Sequence, residues 1–236
     1  MQNNPSLPLW GLYERLKPRE IEAIQSAAPI AYLPWGALEY HGVHNPVGLD
    51  GIKAHALAVD LAKANGGIVI PPVYHAANLI KSYPGVDFKK HSLEFAESLV
   101  RSTCQAYFRQ LMEADFKIIV CISGHAGEPH IDILREEAEA FAGRYPGYRF
   151  WTVAEFDLIE ELTPNHSALG ETSLQLYYAP ETVDLSRLPQ DGDITLERDA
   201  VAGRDPRTAT ATYGKSLAEQ FLSAANRTIQ SLLSSI

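Results

Sequence analysis

The sequence predicts an α/β fold built on a mainly parallel sheet with helices on both sides. Two observations lead to this prediction. Short apolar segments with strand character alternate along the chain with longer segments of helical periodicity, which is typical of strand–helix–strand units. In addition, residues 118–122 are five consecutive apolar residues that end just before Ser123 and Gly124. Such an unbroken run is typical of a strand buried on both faces.

Each element of the first half follows from a local signal. A proline at a first helical position opens a helix over residues 18–27, and a short apolar strand follows over 30–34. Asp50 can cap a helix over 51–65, which ends at a pair of glycines. The next strand covers 68–70 and is closed by two prolines.

The second half continues the alternation. Ser92 caps a long helix that runs to about residue 114 and carries acidic residues in its early turns, as the helix dipole favours. The strand over 118–122 comes next. The remaining predicted elements are a helix over 129–144, a strand over 150–154, a helix over 171–178, a surface excursion over 183–207 and a final amphipathic helix over 214–233.

Composition limits the class of protein. The 236 residues are 46% hydrophobic and 21% charged, which suits one globular domain over 1–236. A net charge of −9 argues against nucleic acid and anionic membrane partners, because both need a cationic surface. No apolar run reaches the about 18 residues of a membrane span, and residues 1–10 lack the pattern of a secretory signal, so we expect a cytoplasmic protein. Cys104 and Cys121 are expected as buried apolar thiols.

A first polar cluster follows the first predicted strand. Glu39 and His41 project to the same side if this segment is extended, because side-chain direction alternates along an extended chain. A carboxylate and an imidazole on one side are natural ligands for a divalent ion. Asp50 could cap the helix with one oxygen and offer the other to a metal. Taken singly, the three residues also fit ordinary roles as a surface acid, a loop histidine and a helix cap.

Two more clusters lie at later loop–helix transitions. His125 follows the buried strand among small neighbours, which allow close approach by a metal or substrate, although a loop histidine bonded to backbone is the alternative. His166 and Glu171 precede or open a helix, where an acid is favoured by the dipole alone. Because ligands bind beyond the carboxyl ends of strands in such folds, the three clusters together predict a Zn, Mn or Fe site.

The same residues form motifs that resemble a known family. The motifs are Glu39-x-His41-Gly-x-His44-x-Pro46 ending at Asp50, Ser-Gly-His-Ala-Gly over 123–127, His166 followed by Glu171-Thr172-Ser173, and Asp-Pro-Arg-x-Ala-Thr over 205–210. In this order and spacing, from about residue 30 to 220, the chain resembles the creatininase (creatinine amidohydrolase) family.

The resemblance implies a three-layer α/β/α sandwich with two divalent metal ions per chain, often in a homohexamer. It implies that Glu39 and His125 bind one metal, that His41 binds the other and that Asp50 bridges them. The expected cofactors are therefore two ions of Zn, Mn or Fe. The expected partners are a small-molecule substrate and further copies of the chain.

One metal-ligand position differs from that of creatininase itself. Gly127 stands where that enzyme has a glutamate ligand. Relatives with glycine there complete the second metal with the glutamate of the Glu-Thr-Ser motif, which is Glu171 in this chain. Glu128, where the family often has asparagine, is an alternative ligand.

The resemblance also implies an activity on non-peptide C–N bonds. A hydroxide shared by the two metals would attack the carbonyl of a small cyclic amide. His166 matches the family histidine that delivers a proton to the leaving group, and His44 is a second candidate.

Substrate identity stays open at this point. Ser123 replaces a family asparagine, Ser167 and Ala168 replace an Ala-Gly pair, and no tryptophan stands beside His166, as one does in creatininase proper. A formamide or a cyclic keto-sugar are therefore alternative substrates. An inactive binding or scaffold relative is the alternative from another class, and metal content distinguishes it.

Overall fold

The computed structural model describes residues 9–159 and 165–236. These residues form one parallel sheet with helices packed against it. The five strands are β1 (Trp10–Leu12), β2 (Ile30–Trp35), β3 (Gly67–Val69), β4 (Ile118–Ser123) and β5 (Arg149–Ala154). They lie in the order β1-β3-β2-β4-β5, and every neighbouring pair is parallel. Strands β2 and β4 are buried along their whole length, because they lie in the middle of the sheet with helices on both faces.

Helices cover the two faces of the sheet. They are α1 (Pro18–Ala27), α2 (Leu49–Asn65), α3 (Glu97–Glu113), α4 (His130–Arg144), α5 (Leu169–Tyr178) and α7 (Ala211–Leu233). The short helix α6 (Leu196–Asp199) lies between α5 and α7 in the chain and buries no residue. Tyr32 of β2 faces the core formed with α2, α5 and α7. Its neighbour Leu33 faces the core formed with α1, α3 and α4. This alternation confirms the predicted α/β sandwich.

Helix α3 begins later than predicted. Ser92 does not cap it, because its hydroxyl accepts a hydrogen bond from the backbone N–H of Tyr40 at 3.0 Å. Leu93 N–H donates to the Leu38 carbonyl at 2.9 Å. These contacts hold the segment against the loop after β2, so the helix starts only at Glu97.

Two further predictions about elements were wrong in part, and one strand was missed. Asp50 does not cap α2, because Gly48 is the N-cap residue and the Asp50 carboxylate turns into the protein. Strand β1 was not predicted, since three residues paired only with β3 carry too short a pattern. The stretch 183–207 is not wholly a surface segment, because Leu188 and Val201 are buried.

Cys104 and Cys121 are buried free thiols, as predicted. Among the described helices, not one has a stretch both long and apolar enough to cross a bilayer. Most of the segment behind the expectation about a secretory signal, residues 1–8, lies outside the described residues.

Candidate metal centre

The structure brings the five predicted ligands together at the carboxyl ends of β2 and β4. Glu39 and His41 lie in the loop after β2, and His125 lies in the loop after β4. Asp50 is in the first turn of α2, and Glu171 is in the first turn of α5. All five side chains are buried. Residues separated by more than 130 positions in the chain therefore meet because parallel strands end at one edge of the sheet.

Glycines allow this close approach. A Cβ atom at Gly124 would lie 2.1 Å from the backbone oxygen of Asp50, and one at Gly36 would lie 2.2 Å from the backbone nitrogen of Gly51. The first turn of α2 thus packs directly on the residues that follow β2 and β4. No larger residue fits at either position without moving backbone.

Substitution of Gly124 tests this packing. We expect Gly124→Ala to lower the free energy of unfolding by about 2 kcal/mol and to weaken metal binding, because the added methyl group displaces the backbone of Asp50. Gly143→Ala is the control, since Gly143 lies exposed in α4 with open space around it. The control should be neutral or stabilising by up to about 1 kcal/mol. Chemical denaturation and metal content measure both effects, and equal stability of the two variants would contradict this account.

Three side chains form a first donor group, namely Glu39, Asp50 and His125. His125 Nδ1 lies 3.2 Å from Glu39 Oε2 and 3.5 Å from Asp50 Oδ2. His125 Nε2 donates to the carbonyl oxygen of Ala77 at 3.2 Å, which leaves the lone pair on Nδ1 facing the carboxylates. The other oxygen of Glu39 accepts from the backbone N–H of Ile80. The surroundings therefore orient both side chains.

His41, Asp50 and Glu171 form a second donor group. His41 Nε2 lies 3.2 Å from Asp50 Oδ1 and 3.8 Å from Glu171 Oε2. His41 Nδ1 donates to the carbonyl oxygen of Glu39 at 3.0 Å, so Nε2 is again the free nitrogen. Asp50 belongs to both groups and turns one carboxylate oxygen toward each.

Unsatisfied polar atoms indicate that these groups suit cations. Glu39 Oε2, Asp50 Oδ2 and His41 Nε2 are buried and have no hydrogen-bond partner in the described part of the chain. Leaving such atoms unpaired is costly unless something else satisfies them. Imidazole nitrogen with carboxylate oxygen is the ligand set of Zn, Mn and Fe sites. The residues present therefore fit divalent ions.

The electrostatics of the ligand side chains also suit cations. Burial disfavours the charged form of His41, but the carboxylates of Asp50, Glu171 and Glu39 together outweigh this and raise the pKa of His41 to about 9. Burial also acts against ionised Asp50, yet His41 and His125 hold the pKa of this carboxyl well below its usual range. Protons thus balance the carboxylates when no metal is bound, and metal ions compete with protons for the same atoms.

Beside the donor groups lies a cavity of about 220 Å³. It is smaller than the about 300–1,000 Å³ typical of sites for drug-sized ligands, which suits a small substrate. Its described lining comprises Asp50, Tyr83, Gly124, His125, Ala126, Gly127, Phe156, Asn165, His166, Glu171 and Ala202.

The two histidines considered for proton transfer occupy different places. His166 lines the cavity, stacks on His41 with ring centroids 4.5 Å apart, and donates from Nε2 to the carbonyl oxygen of Tyr40 at 3.1 Å. His44 lies behind it, with Nε2 at 3.2 Å from both the Ser167 carbonyl and the Thr172 hydroxyl. Burial lowers the pKa of His44 to about 4. Of the two, only His166 is among the described lining residues.

The structure also distinguishes Glu171 from Glu128, the two alternative ligands for the second metal. Glu128 is exposed and belongs to none of the donor groups found in residues 9–159 and 165–236, whereas Glu171 joins His41 and Asp50. A third combination, which the sequence did not suggest, places ligand atoms of Glu39, His41 and His166 within 4.8 Å of one another.

Two candidate functional residues, Lys53 and Glu155, were not predicted from the sequence. Lys53 is fully buried, and its ammonium contacts Glu171 Oε1 and Glu155 Oε1 and lies 3.7 Å from Asp50 Oδ1. Burial disfavours the ammonium, but Glu155 and Glu171 outweigh this and raise the pKa of Lys53. The signal was available: Lys53 follows Asp50 by three residues on one helix face, and Glu155 directly follows β5.

A three-layer sandwich with two overlapping groups of buried imidazole and carboxylate donors defines an α/β protein built around a candidate metal centre. The chain belongs to the creatininase family: the family model described as creatinine amidohydrolase matches residues 14–229. The resemblance of the motifs is thus confirmed, and the protein is a creatininase-family amidohydrolase.

Individual relatives are distant in sequence. A creatinine amidohydrolase of Pseudomonas putida is 24% identical over 211 residues, which cover 82% of this chain and 81% of the relative. A manganese creatininase structure superposes with a TM-score of 0.76 at 22% identity, covering 93% of this chain and 97% of that one. A creatininase variant of zinc–zinc type, with a glutamate replaced by glutamine, gives a TM-score of 0.75 with the same identity and coverage. The match confirms the creatininase-like fold.

Proposed function

We propose that this protein hydrolyses a small cyclic amide with two divalent metal ions bound by its two donor groups. The observation that carries the proposal is the position of Asp50, which turns Oδ2 toward the first donor group and Oδ1 toward the second. A carboxylate shared in this way is the arrangement that holds two cations close together. Bound divalent ions supply polarisation of a substrate carbonyl and activation of water at neutral pH.

Individual side chains supply the metal ligands and the proton-transfer group. Glu39 and His125 would hold an ion at the first group, and His41 and Glu171 would hold one at the second. His166 lines the cavity beside both groups, where its free Nδ1 is placed to move a proton to the leaving nitrogen. The ligand side chains themselves are buried, and a buried setting strengthens their electrostatic interactions with a substrate.

The relatives guide the choice of metal and substrate. Zinc and manganese are the ions of the matched creatininase structures, so we propose one of these or iron for this chain. A creatinine amidohydrolase relative supports an amide substrate. Because the sequence departs from creatininase proper around Ser123, Ser167 and Ala168, the screen should also include formamides and cyclic ketones.

We further propose a cytoplasmic homohexamer, as the family resemblance implies. Val43, Val47 and Leu93 are large apolar side chains that remain exposed. Backbone hydrogen bonds tie the segments of Val47 and Leu93 to the neighbouring residues Glu39 and Leu38, so the three lie around one loop. Contact with further copies would remove them from water. Light scattering on the purified protein tests the assembly.

Loss of one ligand tests the proposed function. We expect Glu39→Gln to lower bound metal by about one ion per chain and to lower turnover more than about 100-fold, because an amide is a poor substitute for a carboxylate ligand. Elemental analysis and hydrolysis assays measure these changes, and circular dichroism confirms the fold.

Glu128→Gln is the matched control, since Glu128 is exposed and outside the donor groups. It should retain metal and activity. Full turnover of Glu39→Gln with both ions retained would contradict the proposal. A purified protein with less than one ion per chain and no hydrolysis would favour the inactive binding relative instead.

A further inference from the structure

A buried ammonium lies on one side of the metal centre only. Lys53 Nζ contacts Glu171 Oε1 and lies 3.7 Å from Asp50 Oδ1, and both carboxylates belong to the second donor group. In the first donor group, Glu39 and His125 have no such contact with a lysine or arginine of the described residues. The two groups therefore differ in their electrostatic surroundings although their ligands are similar.

Glu155 completes the environment of Lys53. Its carboxyl group is fully buried and also contacts the ammonium, while Phe156 places its ring centroid 5.1 Å from Nζ. Lys53 thus has no exposed surface and cannot turn its charge to water. The ammonium therefore lies directly beside the second donor group.

We propose that Lys53 makes the second donor group the weaker metal position, so that the two positions fill one after the other. The inference rests on the proposed function. The Lys53 ammonium repels a divalent cation held by the same two carboxylates, and this repulsion is poorly screened in a buried site. It also occupies one oxygen of Glu171, which leaves only Oε2 for a metal ion. In the first donor group only the shared Asp50 lies near Lys53, and it does so through Oδ1, whereas Oδ2 is the oxygen that faces His125.

An alternative role for Lys53 predicts the opposite change in metal affinity at the second donor group. If Lys53 only held Glu171 in place, its removal would weaken the second position. Two neutral variants separate these roles. Lys53→Met with Glu155→Gln removes the ammonium that contacts the ligands, its partner carboxyl group and the hydrogen bond to Glu171. Lys53→Gln with Glu155→Gln removes the same ammonium and carboxyl group but keeps a hydrogen-bond donor at position 53. Replacing both partners avoids leaving a buried charge without compensation.

Titration of the metal-free full-length protein with Mn²⁺ tests the proposal. Bound metal is counted by equilibrium dialysis, and electron paramagnetic resonance distinguishes isolated from coupled Mn²⁺. In the unaltered protein we expect one tight equivalent with an isolated signal, followed by a second that binds at least about tenfold more weakly and gives the coupled signal. Both neutral variants should bind the second equivalent at least about tenfold more tightly than the unaltered protein.

Lys63→Met is the matched control, because Lys63 lies exposed on the same helix and pairs with Asp60 at 2.9 Å. It should leave both affinities unchanged. Equal affinities for the two equivalents in the unaltered protein would overturn the proposal even if no variant folds. The proposal would also be overturned if the second equivalent bound more weakly in Lys53→Met with Glu155→Gln. It would be overturned as well if the affinity for the second equivalent stayed unchanged in both variants. Failure of the proposed function is a separate outcome, namely that no Mn²⁺ binds at all or that the loaded protein hydrolyses none of the screened compounds.

Discussion

Asp50→Asn is expected to abolish binding at both metal positions and to lower hydrolysis more than about 100-fold. The reason is that Asp50 alone serves both donor groups, with Oδ2 at 3.5 Å from His125 Nδ1 and Oδ1 at 3.2 Å from His41 Nε2. An amide at this position removes one negative charge and turns an N–H₂ group toward one of the two groups. No other described residue belongs to both donor groups.

Metal content and turnover measure this effect, with circular dichroism to confirm the fold. Asp60→Asn is the matched control, because Asp60 lies on the same helix and pairs with Lys63 and Tyr178 away from the donor groups. The control should keep both ions. Retention of two ions by Asp50→Asn would show that the groups are held by ligands other than those proposed.

His166→Gln is expected to lower kcat by about 10²- to 10⁴-fold while both metal ions remain bound. His166 lines the cavity, and its Nε2 is engaged with Tyr40, which leaves Nδ1 as the nitrogen that can carry a proton to the leaving group. Metal content is the decisive second measurement, since His166 also lies within reach of Glu39 and His41 as a third donor combination.

His44→Gln is the comparison that separates the two histidines. Its side chain can still hydrogen-bond to Ser167 and Thr172, and it is not among the described residues of the cavity lining. We expect its kcat to stay within about tenfold of the unaltered value, below the usual range for a proton-transfer group. A larger loss in His44→Gln than in His166→Gln would reverse the assignment, and loss of metal from His166→Gln would make His166 a ligand.

Local sequence was sufficient for most of the fold. Helix α1 has the predicted bounds, and β2 and β4 extend the predicted strands by one residue each. These elements were predictable because their signals are short-range: a proline at a helix start, or an apolar run long enough to cross a buried sheet. Helix α3 was misplaced at its start because Ser92 bonds to Tyr40, a residue 52 positions away, instead of to its own helix.

The sequence by itself determined the α/β class and identified the residues that supply the donor groups, because strand alternation and motif spacing are recorded along the chain. Tertiary structure decided which of the alternatives meet: Glu171 and not Glu128 joins His41, and His166 and not His44 lines the cavity. It alone revealed the ammonium of Lys53 beside Glu155. Distances between side chains depend on how separate strands and helices pack, and no local pattern contains that information.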